Sequence, residues 1–227
     1  MIAEKTILAI IPARGGSKGI PRKNIMKVRG KPLIAYTIEE AKKCSFIDRM
    51  ILSSEDDEII QTAKNWGCEA PFVRPNKFAQ DDTPMIDTIF HAIESLPEKY
   101  DYVLLLQPTS PLRKSDDIKN AIQLCIDYNA PACVSVAVAD KSPYWMVKIN
   151  GLGRLKPLIN HNFSSEYRRQ DLPIIYQVNG AIYFGKTTWL LETKTFFTEQ
   201  TLAYIMNKER SLDIDTEFDL KILNILI

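Results

Sequence analysis

From Thr6 to Val138 the chain alternates short apolar runs with longer stretches whose apolar residues recur at helical spacing. That alternation is the pattern of strand–helix–strand units, so the expected class is α/β with a mostly parallel central sheet. The pattern predicts strands at Thr6–Pro12, Arg49–Ser53, Glu69–Val73 and Ala132–Val138. Tyr102–Leu106 reads as a strand buried on both faces, at the sheet centre. Helices are expected over Pro32–Cys44, Asp56–Trp66, Met85–Leu96 and Asp116–Tyr128, with Pro32 in a first turn and Gly67 as a C-terminal cap.

After Asp140 the alternation stops. Residues 141–175 are punctuated by Pro143, Gly151, Gly153, Pro157 and Pro173 and contain no clear helix, so 140–176 reads as an insertion. Residues 1–139 and 177–227 form the main domain around it. Regularity returns with a strand at Gly180–Phe184, a helix at Lys186–Leu191, a strand at Leu202–Met206 and a closing helix at Thr216–Ile227.

Composition removes several functional classes. With 29 basic and 28 acidic side chains there is no global field to favour nucleic acid or an anionic membrane, so an anion must be held by a local cluster. No apolar run is long enough to span a bilayer, and Met1 is not followed by a signal-peptide pattern; a soluble, cytoplasmic protein is expected. Cys44, Cys68, Cys125 and Cys133 show no CxxC spacing and read as small hydrophobes. His91 and His161 have no ligand-spaced partners, which argues against zinc.

Three segments carry candidate chemistry. The loop Ala13–Asn24 follows the first strand, where ligands of open α/β sheets bind. Gly15, Gly16 and Gly19 allow close approach or positive φ, and Arg14, Lys18, Arg22 and Lys23 supply cations suited to a triphosphate. The sequence is neither GxxxxGK[ST] nor GxGxxG, and a solvated basic turn is the plain alternative. In Leu212–Asp219, an extended backbone turns Asp213 and Asp215 to one side, as a Mg²⁺ site requires; Asp215 as the N-cap of the last helix is the competing reading. Leu104–Arg113 leaves the central strand through two prolines, with Gln107 and Ser110 either aimed at a ligand or part of a connector.

Together these segments resemble the CMP-sialic acid synthetase family, the acylneuraminate cytidylyltransferases. IPARGGSKGIPRKN, QPTSPLR, NGAIY and SLDIDTEFD resemble its motifs and stand in the family's order. The resemblance implies a Rossmann-like nucleotidyltransferase fold, with 140–176 as a small dimerisation insertion and a homodimer as the assembly. It implies CTP, Mg²⁺ and a nonulosonic acid as ligands, the anomeric hydroxyl of the acid attacking the α-phosphate and releasing pyrophosphate. Carried over by position, Arg14, Gly15, Gly16, Ser17, Lys18, Lys23 and Asn24 would hold the triphosphate, and Arg74 would approach the nucleotide. Gln107, Asn179, Tyr183 and Phe197 would shape the sugar pocket, and Arg169 would reach a partner's site. Asp213 and Asp215 would bind the metal, and with Arg14, Lys18 and Lys23 would carry catalysis.

The chain departs from the family at two places. Where sialic acid members carry a lysine after the proline at position 143, it reads Tyr144, Trp145, Met146, and Lys148 is the next cation. Tyr144 and Trp145 suit the acetamido or deoxy groups of a legionaminic-type acid. Pro84 and Met85 stand where relatives often have serines. A smaller 3-deoxy-ulosonic acid, a uridylyl- or guanylyltransferase, and a non-catalytic nucleotide binder remain alternatives on this scaffold.

Overall fold

The computed structural model describes residues 2, 4–17, 19–159 and 168–227. Its strands are β1 (Ile7–Pro12), β2 (Lys27–Val28), β3 (Lys31–Pro32), β4 (Arg49–Ser53), β5 (Tyr102–Leu105), β6 (Ala132–Val138), β7 (Val147–Ile149), β8 (Leu155–Pro157), β9 (Tyr176–Lys186) and β10 (Leu202–Ile205). Helices α1 (Leu33–Lys42), α2 (Asp57–Asn65), α3 (Met85–Glu94), α4 (Ser115–Asp127), α5 (Thr187–Thr193) and α6 (Glu217–Leu226) complete it. The central sheet runs β10-β6-β9-β5-β1-β4. All its strands are parallel except β9, which is antiparallel to both β5 and β6. β5 lies in the middle pair, as its uninterrupted apolar sequence requires.

Alternation along β1 sorts the core. Ile7, Ala9 and Ile11 face α1, α2 and α4, whereas Leu8 and Ile10 face Ile89 and Ala92 of α3 and Leu190 of α5. Both sheet faces are therefore covered. A third cluster joins Ile20, Leu112, Ile214 and Leu223, so the loop after β1, the loop after β5 and the segment before α6 share one apolar floor.

Four local expectations are corrected. Glu69–Val73 forms only an isolated bridge from Glu69 to Ile51, because Pro71 and Pro75 lack the N–H groups that a ladder needs. Pro32 is extended (φ −63°, ψ 144°) and caps α1 from outside rather than opening its first turn. Asp215 is not the cap of α6; Thr216 is, in a reciprocal capping box with Asp219. The strand expected from Gly180 begins at Tyr176, and at the ligand end its pairing with β6 shifts register between Val134 and Val136. Within 140–176 the described residues hold the antiparallel ribbon β7–β8 and short 3-10 turns at Pro143–Trp145 and Arg169–Asp171.

All four cysteines are buried free thiols, and burial pushes Cys68, Cys125 and Cys133 up to about 12, so they stay protonated. Among the described residues no helix is long and apolar enough to cross a membrane.

Candidate active site

A cleft of about 600 Å³ opens beyond the carboxyl ends of β1 and β5. It gathers Arg14, Ser17, Lys23 and Asn24 from the first loop, Arg74, Gln107 from the second motif, and both Asp213 and Asp215. These positions lie far apart in sequence. The shared apolar floor brings them together: Ile214 is fully buried and its N–H donates to the Thr109 carbonyl at 2.8 Å, leaving its two neighbours to turn toward the cleft.

The first loop is seated by its backbone. Ala13 N–H donates to Ser53 O (3.0 Å), Gly15 N–H to Glu55 Oε1 (2.6 Å), and buried Asn24 donates through Nδ2 to Arg14 O (3.0 Å). Gly15 and Gly19 serve space rather than positive φ, whereas nothing lies within 4 Å of a Cβ added at Gly16. A Cβ on Gly15 would come 2.6 Å from Asp56 Oδ2, and one on Gly19 would come 2.4 Å from the Asp215 carbonyl oxygen. Gly15 and Gly16 are not among the residues lining the cleft, and the Gly15 N–H is occupied by Glu55. Arg22, one of the loop's cations, turns away to Asp56 and Glu58 at the start of α2. Lys18 lies outside the described residues.

Each described cation of the cleft has a carboxylate partner. Arg14 pairs with Asp81 (2.7 Å) and Arg74 with Glu55 (2.6 Å). Lys23 bonds Asp215 Oδ1 (2.9 Å) and the Ile214 carbonyl (2.6 Å). Asp81 and Asp215 line the cleft and can be exchanged by an incoming anion, whereas Glu55, the partner of Arg74, stands outside the lining.

Asp213 is held differently. Burial, with a smaller push from the charge of Asp215, raises its carboxyl above the usual range; a Thr109 hydrogen bond and Lys23 oppose the rise. Its Oδ1 is buried with no hydrogen-bond partner. A buried carboxylate oxygen without a hydrogen-bond partner suits contact with a cation. Among the described residues no group of three or more His, Cys, Asp or Glu is arranged to hold a metal. Two carboxylates facing one cleft could hold a divalent cation that took its remaining ligands from a bound phosphate and water.

The residues assigned to a sugar pocket do not all meet. Gln107 lines the cleft beside Gly180 (φ +73°), where an added Cβ would stand 3.2 Å from Gln107 Oε1 and 3.6 Å from Asp213 Oδ2. Asn179 is buried and its amide is consumed internally: Oδ1 accepts from Ser135 Oγ (2.6 Å) and Ala181 N–H (3.2 Å), and Nδ2 donates to Ser211 Oγ (2.9 Å) and Met206 Sδ (3.4 Å). It clamps the register shift instead of facing a ligand. Tyr183 packs against Phe196 (5.5 Å) and edge-on to Phe197 (6.1 Å), and burial together with the charge of Asp213 pushes its phenol up. Phe196 is core, and Phe197 is the exposed member of the pair. Tyr144 and Trp145 sit in the 3-10 turn before the ribbon, outside the cleft lining, with Trp145 exposed. Arg169 opens the second 3-10 turn, and its side chain lies outside the described residues. Ser110 is buried rather than aimed at a ligand.

Sequence reasoning missed Arg113. It is fully buried, donating through Nη1 to Ala181 O (2.6 Å) and Gln107 O (3.2 Å) and through Nη2 to Thr37 Oγ1 (2.7 Å), which ties β9, the second motif and α1 together. Burial lowers its guanidinium to about 10, against the opposing pull of Asp117 and Glu40. Arg113→Ala removes hydrogen bonds to Ala181 O, Gln107 O and Thr37 Oγ1, and is expected to lower stability by about 3 kcal/mol in urea unfolding. A loss below about 1 kcal/mol would contradict this role. No local signal marked it: it stands in PLRKSDD, eight residues beyond β5 and next to Lys114, as a surface cation would.

Comparison with known proteins agrees with the geometry. A family described as cytidylyltransferase matches residues 8–224. The CMP-N,N'-diacetyllegionaminic acid synthase of Legionella pneumophila is 35% identical over 94% of this chain and 92% of its own length. The pseudaminic acid cytidylyltransferase of Campylobacter jejuni serotype O:2 is 35% identical over 96% of this chain and 95% of its own. The solved structure of a CMP:2-keto-3-deoxy-manno-octonic acid synthetase complexed with CTP superposes with a TM-score of 0.71 at 17% identity, covering 97% of this chain and 98% of that one, a likeness of fold.

Proposed function

Because the chain belongs to the cytidylyltransferase family, we propose that it transfers CMP from CTP to the anomeric hydroxyl of a nonulosonic acid, with a legionaminic-type acid as the preferred acceptor. The observation that carries the proposal is the single cleft in which the loop after β1 faces Gln107, Asp213 and Asp215. The names of relatives similar along nearly their whole length support the acceptor class. The legionaminic type rests on Tyr144 and Trp145 standing in the sequence in place of a cation; both lie outside this chain's own cleft lining, so the acceptor assay decides it.

In this reading Arg14, Ser17 and Lys23 cradle the triphosphate and spread its charge, since phosphoryl transfer needs positioning and neutralisation more than covalent help. Asp213 and Asp215 would hold Mg²⁺, the orphaned Asp213 oxygen being its natural contact. When bound, the ion supplies charge neutralisation and acidifies the attacking hydroxyl. That hydroxyl oxygen forms a bond to the α-phosphorus, the bond from the α-phosphorus to the bridging oxygen breaks, pyrophosphate leaves and the proton passes to water. Lys23, drawn from Asp215 toward phosphate, follows the charge. Gln107, with Gly180 leaving it room, orients the acceptor. The ribbon at 140–176 is the arm of a homodimer, and Arg169 on its return segment reaches the partner's cleft. The reaction belongs to the cytoplasm.

The test is pyrophosphate release in Mg²⁺ with each of the four nucleoside triphosphates against legionaminic, pseudaminic, N-acetylneuraminic and 3-deoxy-octulosonic acids. Turnover is expected with CTP and fastest with legionaminic acid. Turnover with GTP but not CTP, or with the octulosonic acid alone, would overturn the proposal.

A further inference from the structure

Glu55 follows β4, outside every motif that points to nucleotide chemistry, yet its carboxylate joins two parts of the cleft. Oε1 accepts from Gly15 N–H and Oε2 from Arg74 Nη2, both at 2.6 Å. The side chains of Glu55 and Arg74 are 14% and 4% exposed. We propose that Glu55 is a positioning residue for CTP: a carboxylate behind the cleft that sets the phosphate loop and Arg74 in register with one another.

Its placement decides between two roles. Arg14, Ser17 and Arg74 line the cleft; Glu55 and Gly15 do not. The carboxylate thus stands at the back of the loop, not in the seat of a phosphate, so it supports the donors rather than blocking them. The backbone around it is fixed on both sides: Ala13 N–H donates to Ser53 O (3.0 Å) and Arg74 N–H to Ser54 O (2.8 Å). Asp56 lies so close behind Gly15 that no Cβ fits between them. What the backbone leaves open is the side chain of Arg74, a guanidinium almost without solvent that requires a counter-charge. Glu55 holds Nη2, Nε is buried without a hydrogen-bond partner, and Arg74 lines the cleft, so fixing this guanidinium in advance removes an ordering cost from nucleotide binding. A glutamine cannot replace it. Whichever way its amide turns, an NH₂ group meets either the Gly15 N–H or the Arg74 N–H, and one of the two bonds becomes a donor facing a donor.

The inference rests on the cleft being the nucleotide site, and the experiment separates the two. CTP binding in Mg²⁺ without acceptor is measured by calorimetry on the wild type, Glu55→Gln and Glu55→Asp, followed by steady-state constants with the acceptor that supports turnover. Glu55→Gln is expected to weaken CTP about tenfold or more, in both Kd and KM, with a lowered thermal midpoint, while KM for the acceptor at saturating CTP stays within about twofold. Glu55→Asp, which keeps the charge one methylene short, should fall between; it decides alone if Glu55→Gln does not fold. Absence of CTP binding to the wild type would overturn the site itself. Wild-type CTP binding with unchanged affinity in the variants would overturn the inference alone. So would tighter CTP binding, the sign of a blocking carboxylate, or a parallel rise of both KM values, the sign of a merely structural one.

Discussion

Asp213→Asn is expected to abolish turnover, on the order of 10³-fold or more, while raising the thermal unfolding midpoint by about 2–4 °C. The two effects have one cause. In the ligand-free chain this carboxylate is desolvated, lies near the charge of Asp215, and has an oxygen with no partner. Its raised pKa means that the charged form costs stability above the pKa of the unfolded chain. Stability from this group is therefore greatest at acid pH and declines as pH rises through the folded value. Neutralising the side chain removes that cost and with it the oxygen charge proposed to hold the cation. Pyrophosphate release and circular dichroism melting read the two sides independently. Wild-type turnover in the variant would remove the metal role; lost turnover with a lowered midpoint would mean that the buried carboxylate was structural.

The second large effect is expected at a residue with no side chain. Gly19→Ala places a Cβ 2.4 Å from the carbonyl oxygen of Asp215, a backbone atom that cannot rotate aside. Either the loop or the Asp213–Asp215 segment must shift by about an ångström, and displacement of that size at a reacting centre costs about 10²-fold. The expected result is a fall of that order in kcat/KM for CTP with the fold retained. Gly151→Ala, in the open turn of the ribbon where nothing lies within 4 Å of an added Cβ, is the control. A Gly19→Ala enzyme within threefold of wild type would show that the loop and the metal segment are not mutually registered.

How far the sequence foretold this structure follows from what each signal contains. Period and polarity are local, and they placed β1, β5 and most helices to within a few residues. The same locality placed Asp213 and Asp215 on one side of an extended segment with Ile214 inward. Direction is not local. Nothing in GAIYF says that β9 runs against its neighbours, because an apolar strand buried on both faces reads alike either way. The partners of the site were also out of reach: Gly15 and Glu55 meet across 40 positions, Lys23 and Asp215 across 192. The loop glycines were expected to allow close approach to a phosphate or positive φ; none has positive φ, and at Gly15 and Gly19 the packed chain leaves no room for a Cβ, against Asp56 and Asp215, which no local signal reveals. Asn179 shows the opposite error. The resemblance of NGAIY to a family motif put it at the sugar, whereas its side-chain hydrogen bonds are spent on Ser135, Ala181, Ser211 and Met206.

The reversal of β9 bears on how such a molecule can change. Strand β6 runs toward the ligand edge and ends at Val138, and β9 re-enters beside it at Tyr176, paired residue to residue. A parallel return would have carried the intervening chain back across a whole face of the sheet. An antiparallel return lets it leave and rejoin at the same rim, so its length and content are free of the packing beneath, and closing a longer excursion adds little entropic cost. The segment at 140–176 thus sits at a socket beside the reactive edge. Its residues can change in number and kind without redrawing the sheet core beneath.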